Sequence, residues 1–457
     1  MTGSAAAIGP LLSACGSSSS MDGDGVPGGG DVPLQGELSI PTGPLANIPD
    51  LGEPDADGIS VPAGFSVRNV ARQGRPPLLG AGYLWHIFPD GGATFATEDG
   101  GWIYTSNSEF PLGAGGCGAI RFAADGTIVD AYSILSNTSS NCAGGATPWQ
   151  TWISCEETDS GQAWETDPFG VVGAVAKPAL GLFSHEAFAV DLEHRTAYLT
   201  EDAGSGRFYR WVADESDYNA SAQRLALESG RLQVLNIEGY ENGGYADDPT
   251  EMRTLRRVSW VDVQRPDEPQ GAVRDELAAA GQPVPGTRFN GGEGLWFHEL
   301  PAGQSTTPIG ARRPTRGLVF FTTKGDNRVW AYDVENEIIE LIFDNEQIDP
   351  DFNDVDNLTV SPAGDIIVAE DLTESGRGIR LMVVVPNAPA RVLVDVTQEG
   401  SELCGPAFSP DGSRLYFSSQ RGPNIAGVVL PIPGLPGVGL GATYELTIPE
   451  EFRTRSV

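Results

Sequence analysis

Leu358-Thr-Val-Ser-Pro-Ala-Gly-Asp365 and Ala407-Phe-Ser-Pro-Asp-Gly-Ser413 share one pattern, in which a β-type run ends in a tight turn. The glycines of the two turns lie 48 residues apart, which is close to the length of one propeller blade. A strand followed by an Asp-Gly turn occurs in any antiparallel sheet. Its recurrence at blade length nevertheless favours a β-propeller over a β-sandwich.

The rest of the chain also consists of short β-type runs between turns. Residues 196–200, 317–323 and 365–369 are rich in β-branched or aromatic residues and are bounded by turn residues. Long helices are disfavoured because the chain contains 59 Gly and 34 Pro. We expect one short helix at residues 275–280 and an irregular insertion at residues 217–248. The predicted fold class is all-β, a propeller of six blades with irregular loop insertions.

The first 55 residues are rich in Gly, Pro and Asp, and we expect a signal remnant followed by a flexible tether. Leu12-Ser-Ala-Cys15 resembles a bacterial lipobox, in which the cysteine is lipidated. However, no Lys or Arg precedes Arg68, although a signal peptide needs one. Either the start codon lies upstream or the segment is a disordered tail. We favour an exported protein of the cell envelope, periplasm or exterior, tethered through Cys15, with residues 56–457 as one propeller domain.

The charge balance and the cysteines restrict partners and compartment. The 28 Lys and Arg against 62 Asp and Glu give a formal charge of −34, which repels phosphate backbones. We therefore expect no nucleic-acid partner, and we expect a monomer.

Apart from Cys15, the cysteines are even in number and could pair as disulfides in an oxidising compartment; they are Cys117, Cys142, Cys155 and Cys404. No CxxC pair supports a zinc ribbon.

One stretch combines a thiol, two tryptophans and two adjacent carboxylates, and it runs Asn141-Cys-Ala-Gly-Gly-Ala-Thr-Pro-Trp-Gln-Thr-Trp-Ile-Ser-Cys-Glu-Glu157. On a strand, Glu156 and Glu157 point to opposite sides, so only one of them can face inward. Taken alone, the stretch is equally consistent with a turn, two core tryptophans and a solvated pair of carboxylates.

Further acidic or amide residues recur at the ends of predicted strands, and they are Glu186, Glu201, Asp202, Glu293, Asp356, Asn357, Glu370, Asp371 and Glu402. A propeller draws its ligands from loops and inner strands of different blades, so these residues are expected to meet at the central channel. Calcium takes six to eight oxygen ligands, and a thiolate suits a transition metal. The predicted ligands are Cys142, Glu156, Glu157, Glu186, Glu201, Glu293, Asp356, Asn357 and Glu402.

Two consequences of this hypothesis concern geometry. Cys142 should lie at the metal rather than in a disulfide with Cys155. Glu157, Glu186 and Asp356 should converge with Glu293 on one pocket, where mutual repulsion raises the carboxylate pKa values if no metal is bound.

Further motifs follow the Asn141–Glu157 stretch in colinear order, among them Phe183-Ser-His-Glu-Ala187, Tyr198-Leu-Thr-Glu-Asp202, Gly206-Arg-Phe-Tyr-Arg-Trp211, Val329-Trp-Ala-Tyr332 and Cys404-Gly-Pro-Ala-Phe-Ser-Pro-Asp-Gly412. Over about residues 60 to 425 they resemble the PhoX family of bacterial alkaline phosphatases. The resemblance implies an exported β-propeller that hydrolyses phosphate monoesters with iron and calcium. It also implies that Cys142 bridges iron, that Glu157 and Glu186 are metal carboxylates, and that Glu293 and Asp356 lie on motifs that supply the site.

One position departs from the family pattern, which has Arg-Pro-Glu where this chain has Gly291-Gly292-Glu293. The missing arginine would clamp a phosphate with two hydrogen bonds, and Arg288 is the nearest candidate to replace it. We expect Cys142, Glu293 and Arg288 to act on the substrate, and arginine at Gly291 to increase phosphate affinity. The departure leaves two alternatives open: a calcium-dependent propeller hydrolase of lactones or other esters, and a non-catalytic metal-stabilised binding propeller.

Overall fold

The computed structural model describes residues 33–245, 252–301, 303–371, 377–397, 401–422 and 440–453. The sequence interpretations that concern the first 32 residues, including a lipidated Cys15, lie outside these ranges. Within them, no helix has the length and apolar character needed to cross a membrane.

Six antiparallel meanders, numbered here as blades 1 to 6, hold most strands of the described ranges. Two strands precede them, β1 (Ile59–Ser60) and β2 (Ser66–Arg72). Blade 1 contains β3 (Pro89–Ala96), β4 (Trp102–Ser108), β5 (Gly115–Phe122) and β6 (Ile128–Thr138). Blade 2 contains β7 (Asn141–Ala146), β8 (Trp152–Glu156), β9 (Ala163–Thr166) and β10 (Val175–Ala176). Blade 3 begins with β11 (His185–Asp191), β12 (Thr196–Glu201) and β13 (Phe208–Ala213).

A small hairpin interrupts blade 3, formed by β14 (Tyr218–Asn219) and β15 (Arg224–Leu225). The blade ends with β16 (Gly230–Ile237), and β17 (Arg256–Asp262) and α1 (Gln270–Ala279) follow. Blade 4 contains β18 (Gly292–Glu299), β19 (Gly317–Thr323), β20 (Arg328–Asp333) and β21 (Ile338–Asp344), with α2 (Asn345–Ile348) after it. Blade 5 contains β22 (Val355–Val360), β23 (Ile366–Glu370), β24 (Ile379–Val384) and β25 (Arg391–Val396). Blade 6 contains β26 (Leu403–Phe408), β27 (Arg414–Ser419) and β28 (Ala442–Thr447).

The first strands of the six blades form a closed ring. Each of β3, β7, β11, β18, β22 and β26 packs against the next, and β26 packs against β3. Blade 6 takes its outer strand from the N-terminal side of the chain, because β2 pairs with β28. Strand β17 pairs with both β16 and β21 and so joins blades 3 and 4 into one sheet. The prediction of an all-β propeller is confirmed.

The repeated turn pattern lies where the propeller hypothesis needs it, between the first two strands of blades 5 and 6. The N–H of Gly364 donates to Ser361, and the N–H of Gly412 donates to Ser409, each at 2.8 Å. Both glycines have positive φ, +91° and +66°, which glycine adopts without steric cost. The 48-residue spacing is therefore the distance between equivalent turns of neighbouring blades.

Three boundaries differ from the sequence prediction. The compact unit that contains the propeller already begins at Leu34, because apolar residues before position 56, including Leu45 and Ile48, are buried in the core. The region expected to be an irregular insertion contains β16, the outermost strand of blade 3. The helix expected at residues 275–280 begins earlier, at Gln270.

The innermost strands approach so closely that some positions admit only glycine. A Cβ atom at Gly145 on β7 would lie far inside van der Waals contact with the carbonyl oxygen of Phe188 on β11. We expect Gly145→Ala to destabilise the protein by about 1–3 kcal/mol, as overpacking does. Gly271→Ala is the control, because its Cβ in α1 meets nothing within 4 Å and alanine favours helix. Denaturant unfolding measures both, and equal stabilities would contradict the close approach.

Candidate metal centre

The innermost strands of blades 1 to 5 share one irregularity at the same place. Each strand shifts register with its neighbour directly after its first residue. A bulge of this kind bends a strand and redirects its side chains. The second residue of each strand falls in the bulge, and we call these residues the inner ring: Asp90, Cys142, Glu186, Glu293 and Asp356.

A second set of equivalent residues follows the second strand of the same blades. We call these residues the outer ring: Glu109, Glu157, Asp202, Lys324 and Asp371. Each backbone N–H donates, at 2.8–3.1 Å, to the carbonyl of the residue that precedes the first strand of its blade. The five positions are therefore structurally equivalent, and four of them carry a carboxylate.

The two rings bring ligand atoms together at one end of the ring of innermost strands. Four overlapping groups have ligand atoms within 4.8 Å of one another, and they are Asp90–Glu109–Cys142, Cys142–Glu157–Glu186, Glu186–Glu293–Asp356 and Asp356–Asp371–Glu402. Because Cys142, Glu186 and Asp356 are each shared by two groups, the groups form one continuous cluster. The carboxylates of Glu157, Glu186, Glu293 and Asp356 converge as expected, although they are far apart in sequence.

Blade 6 departs from the pattern of the other five. In β26 the register shift comes one residue later than in the other innermost strands, because Leu403 pairs with Ser419 before Cys404 pairs with Ser418. Gly405 and Pro406 therefore fall in the irregular stretch. The blade contributes Glu402, directly before β26, to the cluster. It also contributes Gln420, whose Nε2 donates to Asp90 Oδ2 at 2.6 Å.

The alternation of side chains along a strand explains which acidic residues join the cluster. Glu156 precedes Glu157 and faces the other way, where it accepts hydrogen bonds from Ser139 N at 2.9 Å and Trp164 Nε1 at 3.1 Å. Glu201 likewise precedes Asp202 and pairs with Arg274 at 2.6 Å. The carboxylates of Glu156 and Glu201 are thus engaged within their blades, away from the four ligand groups.

The other two residues of the sequence hypothesis have different surroundings. Asn357 lies between ligands, since its Nδ2 donates to Glu186 Oε1 at 3.2 Å and Asp356 Oδ1 at 2.7 Å, and its Oδ1 accepts from Gly405 N. The guanidinium of Arg288 lies 4.6 Å from the centre of the Tyr245 ring. The cations that contact the cluster are Lys324 and Arg421, whose partners include Glu293 and Glu402 respectively.

All four cysteines of the described residues are buried and free. The expectation that Cys117, Cys155 and Cys404 could form disulfides is therefore wrong, and Cys142 is not bonded to Cys155. Cys404 Sγ lies 3.1 Å from the carbonyl of Pro89, and Cys155 is fully buried in the apolar core of blades 2 and 3.

Burial and mutual repulsion both act on the cluster in the absence of metal. Burial first, and then Glu109 and Asp202, raises the pKa of Glu157 to about 9. Burial also raises the pKa of Asp356 to about 6 and that of Glu186 well above its usual range. The pKa of the Cys142 thiol is raised by burial and by Asp90 and Glu186. A cation among these groups would reverse the direction of each shift.

Sequence reasoning missed Asp90, Glu109 and Lys324, and it counted Asp202 and Asp371 among the strand-end acidic residues without including them in the predicted ligands. A repeated signal could have selected these two, because Glu156-Glu157, Glu201-Asp202 and Glu370-Asp371 each end the second strand of a blade with two acidic residues. The first of each pair faces into its blade, where Glu370 meets Arg377 and Arg380 at 2.8 Å. The second belongs to the outer ring.

Comparison with solved structures shows the fold. The chain is similar to Pseudomonas fluorescens PhoX in complex with vanadate, a transition state analogue, at 17% identity and a TM-score of 0.64, over 88% of this chain and 98% of that one. A protein of unknown function from Dyadobacter fermentans matches at 8% identity and a TM-score of 0.44, over 84% and 99% of the chains. A gluconolactonase from Xanthomonas campestris matches at 12% identity and 0.40, over 92% and 99%.

Comparison of sequences identifies the family. No curated protein sequence matched this chain. The family model "Alkaline phosphatase PhoX" matches residues 103–173 and 161–422, a span that contains every inner-ring residue except Asp90. The resemblance inferred from the motifs is confirmed, and the chain belongs to the PhoX family of alkaline phosphatases.

Proposed function

We propose that this chain is a metal-dependent phosphatase that hydrolyses phosphate monoesters outside the cytoplasm and holds iron and calcium in its two rings. The observation that carries the proposal is the continuous cluster of four ligand groups at one end of the propeller. Membership of the PhoX family supports the reaction class.

The donor atoms fit such a centre. The buried atom Glu186 Oε2 has no hydrogen-bond partner among the described residues, and an unsatisfied buried carboxylate oxygen is costly unless a cation takes the place of the donor. Carboxylate oxygens are the ligands of calcium. A single thiolate, that of Cys142, adds the soft ligand that an iron ion accepts.

The electrostatics also favour a loaded cluster over an empty one. Eight carboxylates in two rings repel an anionic phosphate ester, while among the described residues only Lys324 forms direct ion pairs with them, and Arg421 pairs with the neighbouring Glu402. Bound metal ions would supply the positive charge that attracts the phosphate and the Lewis acidity that polarises its oxygens.

The chain's own residues have three roles in this proposal. Cys142, Glu157 and Glu186, together with Asp90 and Glu109, hold the ions, and Glu293 and Asp356 complete the cluster beside them. Asn357 positions Glu186 by donating to its Oε1, and it also donates to Asp356. Gln420 Nε2 holds Asp90 and reaches Glu109.

The missing arginine of the family is not easily restored at Gly291. This residue has φ of +70°, and a Cβ atom there would lie 3.1 Å from Asp202 Oδ1. A side chain at this position would be strained, because L-residues rarely adopt such a φ. A failed Gly291→Arg variant therefore says little about phosphate binding, and replacing a ring carboxylate is the sharper experiment.

The adjacent residues Glu156 and Glu157 provide a matched pair for that experiment. We expect Glu157→Gln to lower the hydrolysis of a generic aryl phosphate by more than about 100-fold, since even residues that only orient a metal ligand cost about 10–100-fold when mutated. Glu156→Gln should retain activity, because its carboxylate faces Trp164 inside the blade. Removal of calcium with a chelator should abolish wild-type activity, and calcium should restore it.

The outcomes separate the competing functions. Equal activities of the Glu157→Gln and Glu156→Gln variants would show that the outer-ring carboxylate of Glu157 takes no part in the hydrolysis. Hydrolysis of an aryl ester or lactone without hydrolysis of the aryl phosphate would favour the lactonase alternative. A metal-loaded protein that hydrolyses neither substrate would favour the binding propeller.

The raised carboxylate pKa values predict how the metal-free protein responds to pH. The folded pKa of Glu157, about 9, lies above its ordinary 4.5, so the folded state binds the proton more tightly than the unfolded state does. Stability is therefore greatest below pH 4.5 for this group and is lost as the pH rises towards 9. We expect the Tm of chelated protein to fall between pH 6 and pH 9, calcium to restore it, and Glu157→Gln to weaken the fall. A Tm that rises over this range would contradict the repulsion.

A further inference from the structure

Lys324 occupies an outer-ring position that is acidic in blades 1, 2, 3 and 5, and the equivalent residue of blade 6 is Gln420, whose backbone N–H donates to the carbonyl of Glu402 at 3.1 Å. The backbone N–H of Lys324 donates to the carbonyl of Gly291 at 2.8 Å, the same bond that holds Glu109, Glu157, Asp202 and Asp371. The side chain of each outer-ring residue starts from an equivalent backbone position. Blade 4 therefore presents a cation where four other blades present an anion.

The ammonium group lies among carboxylates of both rings. Lys324 Nζ is 3.0 Å from Glu293 Oε1, 3.3 Å from Asp371 Oδ2 and 3.5 Å from Asp356 Oδ2. Glu293 and Asp371 belong to two different ligand groups, and Asp356 belongs to both. Lys324 thus lies at the junction of these two groups.

The backbone that bears Lys324 is held firmly. Lys324 begins a short turn, Lys324–Asp326, and Asn327 ends it in the left-handed conformation. Asp326 accepts a hydrogen bond from the Tyr245 hydroxyl at 2.7 Å and pairs with Arg328 at 3.3 Å. Because the turn is anchored on both sides, the direction of the lysine is part of the fold.

We propose that the Lys324 ammonium replaces a divalent cation at Glu293, Asp356 and Asp371. Three N–H donors of one ammonium can serve three carboxylates, and at these separations they leave no room for an ion that needs six to eight oxygens. The inference rests on the proposed metal centre. It implies that metal ions concentrate on the Cys142 side of the rings, at Asp90–Glu109–Cys142 and Cys142–Glu157–Glu186.

The composition of the chain makes this inference testable with one matched control. Lysine occurs only twice among the 457 residues, at Lys177 and Lys324. Lys177 is also buried and paired, with its Nζ 2.9 Å from Glu165 Oε2 and 2.9 Å from the carbonyl of Ala226. Neither partner belongs to the two rings, so Lys177→Met removes a buried ammonium without touching the cluster.

The first experiment counts metal ions in the purified full-length chain after equilibration with calcium and iron and removal of the excess. We expect Lys324→Met to bind one more calcium ion per chain than the wild type, because the three carboxylates lose their resident cation. Lys177→Met should bind as many ions as the wild type. An unchanged count in folded, metal-loaded Lys324→Met would overturn the inference and leave the metal centre standing. A wild type that binds no metal would overturn both.

The second experiment needs no variant that removes the charge. With only two lysines, the ammonium signals of protein labelled with ¹⁵N-lysine are few, and Lys324→Arg assigns the signal of Lys324 by its loss. We expect this signal to remain protected from solvent exchange when calcium and iron are added to the wild type. Release of the Lys324 ammonium to rapid exchange on loading would show that a metal displaces it, and would contradict the proposal.

Discussion

The repulsion among eight carboxylates at one end of the propeller is the constraint on which the remaining structure depends. Four of them, in the inner ring, are buried, and four, in the outer ring, are half-buried. Like charges this close raise one another's pKa values, and the shifts of Glu157 and Glu186 have this cause in addition to burial. Only a rigid scaffold can hold such a cluster, and the closed ring of six innermost strands, in which β26 packs against β3, provides it.

The fold and six of the nine residues in the four ligand groups were accessible from the sequence, for a physical reason. Turn chemistry is local, so the repeated glycine turns at 364 and 412 predict the blades, and period-two alternation predicts that only one of Glu156 and Glu157 faces inward. By the same alternation, only one of Glu201 and Asp202 can face the cluster. Which of the two does so depends on the register of that strand, and pairing across the blade sets this register. Asp90 and Glu109 carry no local signal, because their place depends on closure between distant blades.

The disulfide expectation failed for a related reason. An even number of cysteines says how many pairs are available, whereas pairing needs Cβ atoms within about 3.5–4.5 Å. The four cysteines belong to four different strands, β5, β7, β8 and β26, and each is buried with its thiol free.

The departures of blades 4 and 6 from the repeated pattern are also local in origin. Blade 6 has one more pair of hydrogen-bonded residues before its register shift, and blade 4 has Lys324 at the outer-ring position where blades 1, 2, 3 and 5 have an acidic residue. A nearly symmetric frame therefore carries an asymmetric set of charges.

Anomalous X-ray diffraction from crystals grown with iron and calcium would show directly whether the two rings hold metal ions, because it locates each ion and identifies its element. We expect an iron peak within bonding distance of Cys142 Sγ, calcium among the neighbouring ring carboxylates, and Lys324 Nζ rather than a metal at Glu293, Asp356 and Asp371. Crystals that contain both metals in solution but have no anomalous peak at Cys142, with the ring carboxylates hydrogen-bonded to one another or to water, would contradict this expectation.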